Sequence, residues 1–423
     1  MSDDESSSLG SDALAIFNSV NWDVIGKRIA GVYKVPSFTW GRRTSGSFNL
    51  VRFMEVHGHG RVIVRVPIDP SKATIEDLVA SLWYISQRTT IPVPRVIYHT
   101  ASSEEAGHPF IVMSCAEGVA LTTVWDDMGD RARDFVLEQV AEILIQLSCQ
   151  RFDSIGRLSG RINADGQREW LIKPEPGAAS VFHSGTLHQL KKFNDKLEEI
   201  LRATRNEIWS YAETWWVRSL VPVFYDDSLD ADGFPLEHGD FHSQNIFVVD
   251  ADTDHPRISC VIDWDDVGSV STSYFAQPPL FIVDHPYADP SSEETKEKAK
   301  RNIRDQDVLV QMIGKAEAAR GMSSTLSGLY QRSKGVYLLD QCSQGDDLMA
   351  LLYSELVQLV VGDEDTHFNW IVQTMDSGVL KSVQDEFLRK YGEVGSKLTG
   401  EQKLGKTEDP TKDNGEGEAE GKL

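Results

Sequence analysis

Two short stretches of this 423-residue chain decide what the rest of it can be. They read LEHGDFHSQNIFVVD at positions 236–250 and VIDWD at positions 261–265. Each places apolar, mostly β-branched residues beside acidic, amide or histidine side chains, and such apolar runs are typical of short β-strands. The pattern predicts two antiparallel strands, Ile246–Val249 and Ile258–Ile262, that form a β-hairpin.

Three polar side chains flank this hairpin. Asn245 stands immediately before the first strand and Asp263 immediately after the second, so antiparallel pairing brings the two together. Amide and carboxylate oxygens are ligands that Mg²⁺ prefers, and the ion completes its shell with water and substrate phosphates. Asp240, in the preceding loop, remains free to orient a hydroxyl group and to accept its proton. This is the arrangement that phosphoryl transfer from ATP requires.

A simpler interpretation treats the same residues as structural. In that case His238, Gly239 and Asp240 form a turn, and Asp263 is a carboxylate that caps a strand. Any one of these residues alone favours that interpretation. Their combination on one hairpin, within a region whose pattern is otherwise helical, favours the phosphoryl-transfer site.

The part of the chain before position 120 has mainly β-strand patterns. A glycine-containing turn at 57–60 separates the first two strands, and the sequence Ile-Pro-Val-Pro at 91–94 ends the helix that follows them. We expect a small, mainly antiparallel sheet that carries one helix. The predicted strands are Phe48–Val56, Arg61–Val66, Arg95–Tyr98 and Phe110–Met113, and the predicted helix is Thr74–Gln87.

Beyond position 120, apolar residues recur mainly at helical spacing. The predicted helices are Arg131–Gln150, Leu187–Trp216, Glu297–Arg320, Asp346–Val361 and Leu380–Tyr391. The predicted fold class is therefore α+β with two lobes, a small antiparallel β N-terminal lobe and a larger, mainly helical C-terminal lobe in which the β-hairpin is embedded. The predicted boundaries are 1–30 for an N-terminal extension, 31–116 for the first lobe, 117–395 for the second, and 396–423 for a disordered polar tail.

Charge and composition restrict the partners of this chain. It carries 42 Lys and Arg against 65 Asp and Glu, a formal net charge of −23. Broad contact with nucleic acid needs a basic surface, so we expect no nucleic-acid partner. The acidic, serine-rich start differs from a signal peptide, and no stretch approaches the roughly 18 apolar residues of a membrane span. The four cysteines have neither disulfide nor metal-ligand spacing. We therefore expect a cytoplasmic protein without a membrane partner.

The two motifs also carry a family resemblance. The pattern H-G-D-x-x-x-x-N followed by I-D-W-D resembles the aminoglycoside phosphotransferase family, relatives of choline, homoserine and fructosamine kinases with a protein-kinase-like fold. The resemblance extends from about Gly46 to Val283. Within it, PFIVM at 109–113 resembles the strand that leads to the hinge of the adenine pocket. Tyr274–Ile282 resembles the segment that follows the metal-binding aspartate in fungal members.

The resemblance implies a role for eight residues of this chain. Asp240 would be the catalytic base, and Asn245 and Asp263 the magnesium ligands. The others would bind ATP: Gly46 and Ser47 in the loop over the phosphates, Arg65 on the phosphates, and Ser114 and Ala116 through backbone groups on the adenine. We expect an ATP- and Mg²⁺-dependent phosphotransferase that acts on a hydroxyl group of a small molecule.

Arg65 departs from the family pattern. The family usually has a lysine at this strand position, and its glutamate partner falls on Leu78 here. Glu76 and Asp77 are close in sequence, but helical geometry turns them about 200° and 100° away from that face. Either the helix register slips, or Arg65 grips phosphate without a carboxylate partner. The departure leaves a second function open, that of a nucleotide-binding pseudoenzyme or interaction module.

Overall fold

The computed structural model describes residues 10–46, 48–69, 74–162, 168–203 and 208–378, together with 382 and 386. The helices are α1 Ser11–Ser19, α2 Trp22–Tyr33, α3 Ile75–Arg88, α4 Asp130–Ser148, α5 Gly185–Ala203, α6 Ile208–Ser219, α7 Val221–Phe224, α8 Thr272–Phe275, α9 Glu293–Ala319, α10 Thr325–Gln331, α11 Lys334–Gln344, α12 Asp346–Val360 and α13 Glu364–Asp376. The strands are β1 Phe38–Ser45, β2 Asn49–Val56, β3 Gly60–Pro67, β4 Val96–Thr100, β5 Phe110–Ser114, β6 Val119–Ala120, β7 Arg151–Phe152, β8 Gly156–Ile162, β9 Arg168–Lys173, β10 Phe234–Glu237, β11 Ile246–Val249, β12 Arg257–Val261 and β13 Gly268–Ser269.

The chain divides into two compact units. One is formed by Met1–Gln189 with Val221–Tyr353, and the other by Leu190–Leu220 with Ser354–Leu423. The first unit contains the three sheets that the described residues form. In the second, α6 and α13 pack together, with the ring centroids of Trp216 and His367 4.2 Å apart. The predicted lobe boundaries divide the chain differently and stay predictions.

A five-stranded antiparallel sheet occupies the N-terminal part of the first unit, in the order β1-β2-β3-β5-β4. It confirms the expected sheet and adds β1 at one edge. In the central strand β3, Val62, Val64 and Val66 are buried in a cluster with residues of α2. Because side chains alternate along a strand, Arg65 projects from the opposite face of the sheet.

Helix α3 follows this central strand in the chain and confirms the helix predicted at Thr74–Gln87. Thr74 caps it, since its hydroxyl oxygen accepts a hydrogen bond from the N–H of Asp77 at 3.3 Å. Leu78 and Leu82 are buried on its apolar face and belong to the same core cluster as Trp264. The helix thus turns an apolar face towards the core that lies around the VIDWD segment.

The predicted β-hairpin is present as β11 and β12. Ile246 pairs with Val261, a β-bulge follows Phe247, and Val249 pairs with Arg257. The second strand therefore begins and ends one residue earlier than expected. The N–H of Ile262 still donates to the C=O of Asn245 at 2.9 Å, so the pairing continues to the end of the hairpin. A third strand, β6, pairs with β11 on its other side.

A second five-stranded sheet, in the order β7-β10-β13-β8-β9, corrects the expectation that the hairpin interrupts an otherwise helical region. Strand β8 reads GRLSGRI, and its glycines and serine have weak β-propensity. These residues form a strand because β9 and β13 pair with them from either side. The pairing with β13 joins segments about 110 residues apart, and local sequence patterns do not report it.

The helical predictions have mixed outcomes. Arg131–Gln150, Glu297–Arg320 and Asp346–Val361 are confirmed as α4, α9 and α12 with small shifts at their ends. The single helix predicted at Leu187–Trp216 is described as α5 and α6, on either side of residues 204–207. The predicted helix at Leu380–Tyr391, apart from residues 382 and 386, and the predicted tail at 396–423 lie outside the described residues. No helix in the described part of the chain is both long and apolar enough to span a membrane.

Candidate active site

The loop between β10 and β11 is organised around His238. This imidazole is almost completely buried, its Nε2–H donates to the C=O of Ile262 at 2.9 Å, and its Nδ1 accepts from the N–H of Asp240 at 3.3 Å. Burial disfavours the charged imidazolium and lowers the pKa of His238 to about 4. Only the neutral ring makes both hydrogen bonds at once. His238 thus ties the loop to the strand end that carries Asp263.

Gly239 permits this close approach of loop and strand. Its backbone has a φ of +84°, and a Cβ atom at this position would lie 2.4 Å from the backbone oxygen of Asp266. Residues with a side chain rarely adopt this backbone conformation, and the short distance leaves no room for one. The glycine is therefore required where the loop crosses the segment after Asp263.

Asp240 is held through one of its two carboxylate oxygens. Its Oδ2 lies 3.1 Å from both His242 Nε2 and Asn245 Nδ2. His242 Nδ1 accepts from the N–H of Gln244 at 3.1 Å, which leaves the ring proton on Nε2 for Asp240. Among the described residues, no donor bonds to Oδ1, and the side chain is 44% exposed. The second oxygen is thus open to a hydroxyl group that approaches from solvent.

Asn245 and Asp263 lie at the same end of the hairpin, as predicted from its register. Asn245 is buried, and its Nδ2 donates to both the C=O and the Oδ2 of Asp240. These bonds orient the amide, and within the described range no donor bonds to its Oδ1. Asp263 has a φ of +67°, a left-handed conformation that is uncommon for non-glycine residues. The pair thus places an amide oxygen and a carboxylate at the same end of the hairpin.

This donor set fits Mg²⁺. The residues that the structure describes contain no group of three or more His, Cys, Asp or Glu side chains arranged to hold a metal ion. Mg²⁺, however, commonly binds proteins through one or two oxygens and takes its remaining ligands from water and phosphate. Asn245 Oδ1 and the Asp263 carboxylate supply two such oxygens.

Arg65 reaches the hairpin from β3 and bonds to two carboxylates. Its Nη1 donates to Asp263 Oδ1 at 3.1 Å, and its Nη2 donates to Asp265 Oδ2. The Arg65 side chain is only 11% exposed and that of Asp265 17%, whereas that of Asp263 is 42% exposed. The planar guanidinium therefore spans two carboxylates of one motif, one largely buried and one accessible.

The two carboxyl groups have opposite pKa shifts. Burial raises the pKa of Asp265 to about 6, with Arg65 opposing the rise and neighbouring Asp263 adding to it. For Asp263, burial also favours the neutral form, but a hydrogen bond with Asp265 and the positive charge of Arg65 outweigh it and lower the pKa. A proton shared by this pair therefore resides on Asp265, and Asp263 is the ionised group.

The loop predicted to cover the phosphates is the turn between β1 and β2. The N–H of Gly46 donates to the C=O of Asn49 at 3.0 Å. Apart from Gly46 and its chain neighbours, no atom of the described residues lies within 4 Å of the position that a Cβ at Gly46 would take. Ser47 lies outside the described residues. The phosphate contacts of Gly46 and Ser47 stay predictions.

The predicted adenine segment follows β5. Ser114 ends this strand, where its N–H donates to the C=O of Arg95 and its Oγ accepts from the N–H of Arg95, both at 2.9 Å. Ala116 follows in the connection to β6. Gly118 has a φ of +85°, and a Cβ there would lie 2.0 Å from the backbone oxygen of Val248. The connection is thus packed tightly against the hairpin, and the adenine contacts of Ser114 and Ala116 stay predictions.

A cavity of about 500 Å³ lies beside the loop that carries Asp240. Ser243 of that loop lines it, and the C=O of Ser243 accepts from the N–H of Thr122, also on the wall, at 3.1 Å. The carboxylates of Asp126 and Asp284 line the cavity together with the aromatic side chains of Trp125, Phe281, Tyr287 and Tyr337.

Comparison with known families decides which class of protein carries this site. Residues 40–270, just over half of the chain, match the sequence model of the Phosphotransferase enzyme family (APH). The chain belongs to this family. The match contains the turn after β1, Arg65, the loop with Asp240 and the whole hairpin, so the family resemblance expected from the two motifs is confirmed.

Two subtelomeric hrmA-associated cluster proteins of Aspergillus fumigatus, from different strains, are similar to this APH-family chain. One is 28% identical over 129 residues, which are 29% of this chain and 25% of the relative. The other is 30% identical over 118 residues, 27% of this chain and 23% of the relative. The matches thus span about a quarter of the length of these curated relatives.

Solved aminoglycoside phosphotransferases are also similar to this chain. One is a thermostable mutant of APH(4)-Ia in ternary complex with ADP and hygromycin B, at 14% identity, 80% coverage of this chain, 99% coverage of the other and a TM-score of 0.44. Another is the streptomycin–ATP–APH(2'')-IIa ternary complex, at 13% identity, coverages of 79% and 95%, and a TM-score of 0.44.

Neither interpretation of the Arg65 departure from the APH pattern is correct. The helix register does not slip, because Leu78 is buried in the core and Asp77 accepts hydrogen bonds from Thr74, Ser159 and Lys173. Arg65 is not without a carboxylate either, since Asp263 and Asp265 both bind it. A carboxylate partner is present, but it comes from the hairpin side of the site.

Two residues of this APH-family site, His242 and Asp265, were given no role from the sequence. A signal for each was available. His242 stands two residues after Asp240, within reach of its carboxylate, and Asp265 is the second acidic residue of the quoted VIDWD motif. What the motif does not reveal is their partners, which depend on the turn of the loop and on the position of β3.

Proposed function

We propose that this chain is an ATP- and Mg²⁺-dependent phosphotransferase that transfers the γ-phosphoryl group to a hydroxyl group of a small molecule. One observation carries the proposal. Asp240, Asn245, Asp263 and Arg65 converge, with the first two joined by hydrogen bonds and the last two by an ion pair. Membership of the phosphotransferase family supports the same reaction class.

Asp240 has the geometry of the base in this reaction. His242 and Asn245 fix its Oδ2, so its Oδ1 accepts the hydrogen of the acceptor hydroxyl. The hydroxyl oxygen attacks the γ-phosphorus, its proton passes to Asp240, and ADP leaves. The principal contribution of Asp240 is to hold the acceptor in line, since phosphoryl transfer depends mainly on positioning and charge stabilisation.

Asn245 and Asp263 would hold Mg²⁺ through the amide Oδ1 and the carboxylate. The ion would supply positive charge to the triphosphate, which otherwise resists the approach of a nucleophile. The depressed pKa of Asp263 supports this role, because the carboxylate stays ionised over a wide pH range.

For the nucleotide we propose the remaining predicted contacts: Gly46 and Ser47 over the phosphates, Arg65 on the phosphates, and the backbone of Ser114 and Ala116 at the adenine. The solved relatives include complexes that contain ADP and ATP. The alternative of a pseudoenzyme rested on an Arg65 that lacks a carboxylate, and Arg65 has two.

The cavity beside Ser243 is our proposed acceptor site. It is lined by Ser243, three residues after Asp240 in the same loop, so a hydroxyl compound bound there would lie beside the loop that carries the base. Asp126 is neutralised in part by Lys298 at 3.3 Å, whereas Asp284 accepts a hydrogen bond only from uncharged Asn302 at 2.8 Å among the described residues. We therefore propose an acceptor that carries an amino group, whose charge Asp284 would balance.

A transfer assay tests this function. The purified protein is incubated with γ-labelled ATP, Mg²⁺ and a panel of hydroxyl compounds with and without an amino group. We expect label on at least one amino compound, and loss of transfer with EDTA or with Asp263→Ala. Asp254→Ala, an exposed aspartate in the turn of the same hairpin, is the matched control and should transfer normally. A wild-type protein that neither labels any acceptor nor gains thermal stability with Mg·ATP would contradict the proposal.

A further inference from the structure

Arg65 is held by the carboxylates of Asp263 and Asp265, and we call this pair of contacts the Arg65 grip. The two carboxylates differ in their exposure to solvent. Asp263 and Asp265 lie on either side of the buried Trp264, Asp263 just before a short helical turn and Asp265 within it, and each accepts a hydrogen bond from one Nη of the guanidinium. The side chain of Asp263 is 42% exposed and that of Asp265 17%. The Arg65 side chain that they share is 11% exposed.

This difference in solvent exposure gives the two carboxylates different functions. An accessible carboxylate exchanges one cation for another at little cost, because water compensates it during the exchange. A buried carboxylate that loses its charged partner is left without compensation, which is strongly unfavourable. Asp263 can therefore turn to another cation, while Asp265 keeps Arg65.

The helix on the other side of Arg65 offers no alternative. Leu78 is 3% exposed within the apolar core, Asp77 is bonded to Ser159 and Lys173, and Glu76 is exposed. Among the described residues, the ion pairs of Arg65 are those with Asp263 and Asp265. The carboxylate that positions the phosphate-binding side chain thus comes from the hairpin.

We infer that Asp265 is a positioning residue that takes over the part of the missing helix glutamate. It holds Nη2 of Arg65, so that Nη1 is directed to the nucleotide phosphates once Asp263 engages Mg²⁺. An arginine is required for this arrangement, because its planar fork serves two partners in fixed directions and the single ammonium of lysine does not. The role of Arg65 towards phosphate rests on the proposed function, whereas the contact between Arg65 and Asp265 is present in the fold itself.

The first test measures the grip without nucleotide or metal. Urea unfolding is followed for the wild type, Arg65→Gln, Asp265→Asn and the double variant. We expect the midpoint of the double variant to lie close to that of the worse single variant, because either single change already breaks the pair. The same cycle with Asp263→Asn should show weaker coupling. Asp266→Asn, which removes a half-exposed aspartate paired with Arg157, is the control and should be additive with Arg65→Gln.

The second test separates positioning from metal binding. We expect Asp265→Asn to weaken ATP binding and raise the KM for ATP about tenfold, the effect of losing one charge-assisted contact, with a smaller change in kcat. The conservative variant Asp265→Glu should keep part of the ATP affinity that Asp265→Asn loses. The separate variant Arg65→Lys should not keep it. The Mg²⁺ concentration for half-maximal activity should be unchanged in Asp265→Asn and raised in Asp263→Asn.

Two results would overturn the inference. Additive unfolding effects of Arg65→Gln and Asp265→Asn would show that the pair does not hold. An Asp265→Asn variant whose Mg²⁺ requirement rises as much as that of Asp263→Asn would make Asp265 a metal ligand. If the wild type itself neither binds nor uses ATP, the proposed function fails, and the unfolding cycle still decides whether Asp265 anchors Arg65.

Discussion

Asn245 and Asp263 lie at the same end of one hairpin, whereas Arg65 meets Asp263 across 198 positions of sequence. The hairpin pair follows from strand register, which the apolar pattern of the two strands determines locally. The Arg65 grip depends on how β3 stands over the hairpin. The comparison shows that the loop with Asp240 can keep the family motif while the residue that departs from it, Arg65, takes its carboxylate partners from another element.

The largest effect is expected from Asp240→Asn, which tests the loop that precedes the hairpin. We expect transfer to fall by about 10²–10⁴-fold, the usual contribution of a general base, while ATP affinity stays close to that of the wild type. Steady-state kinetics with calorimetric titration of ATP measure the two effects separately. Turnover within a few-fold of the wild type would remove Asp240 from the mechanism.

The source of the carboxylates that hold Arg65 is tested by Leu78→Glu, which restores a glutamate at the helix position where the family pattern has one. Leu78 is 3% exposed among apolar residues, so the charge would be buried without a partner. We expect the free energy of unfolding to fall by about 3 kcal/mol or more, against less than about 1.5 kcal/mol for the volume-matched control Leu78→Met.

Denaturant unfolding of both Leu78 variants at one pH gives the comparison. A Leu78→Glu protein as stable as Leu78→Met, with tighter ATP binding, would mean that α3 can still supply the carboxylate. In that case the hairpin is not the sole source of the grip.

The link between loop and hairpin is tested by the protonation of His238. Its pKa of about 4 predicts a neutral ring, protonated at Nε2, throughout pH 5–7. In the unfolded chain the imidazole of His238 takes up its second proton near pH 6.5, whereas in the folded protein it does so only near pH 4. Between these pH values protonation favours the unfolded chain. The stability that His238 contributes is therefore complete above pH 6.5 and is lost as the pH falls towards 4. The full effect is about 3 kcal/mol.

Imidazole NMR of the native protein is the direct measurement of this state. It is preferable to a stability profile alone, because the raised pKa of Asp265 acts in the opposite sense between pH 4 and 6. A His238 signal that titrates near pH 6.5 in the folded protein would contradict the two hydrogen bonds that join the loop to the hairpin.

The smallest expected effect belongs to His242→Ala. His242 donates to Asp240 Oδ2, but Asn245 donates to the same oxygen, so the base keeps one of its two bonds. We expect kcat to fall about tenfold, the value of one hydrogen bond to a partly exposed charge, with the KM for ATP unchanged. An equal loss for His242→Ala and Asp240→Asn would show that the imidazole itself takes part in proton transfer.

Much of the fold could be predicted because its signals are local. Alternating valines predicted the central strand β3, a proline-containing segment marked the end of α3, and apolar runs beside polar residues predicted the hairpin. The second sheet could not be predicted in this way, because β8 has weak β-propensity and becomes a strand only through its neighbours.

The candidate site divides along the same line. Short-range pairing sets the register of the hairpin, so the local pattern of the chain suffices to bring Asn245 and Asp263 to one end of it, with Asp240 in the loop before. Long-range packing, in contrast, pairs Asp265 with Arg65 and buries Leu78 in the core. Arg65 and Asp265 lie 200 positions apart in the chain, and the face that α3 turns to the core depends on how the helix packs. Neither contact can be inferred from residue type or from position in the chain.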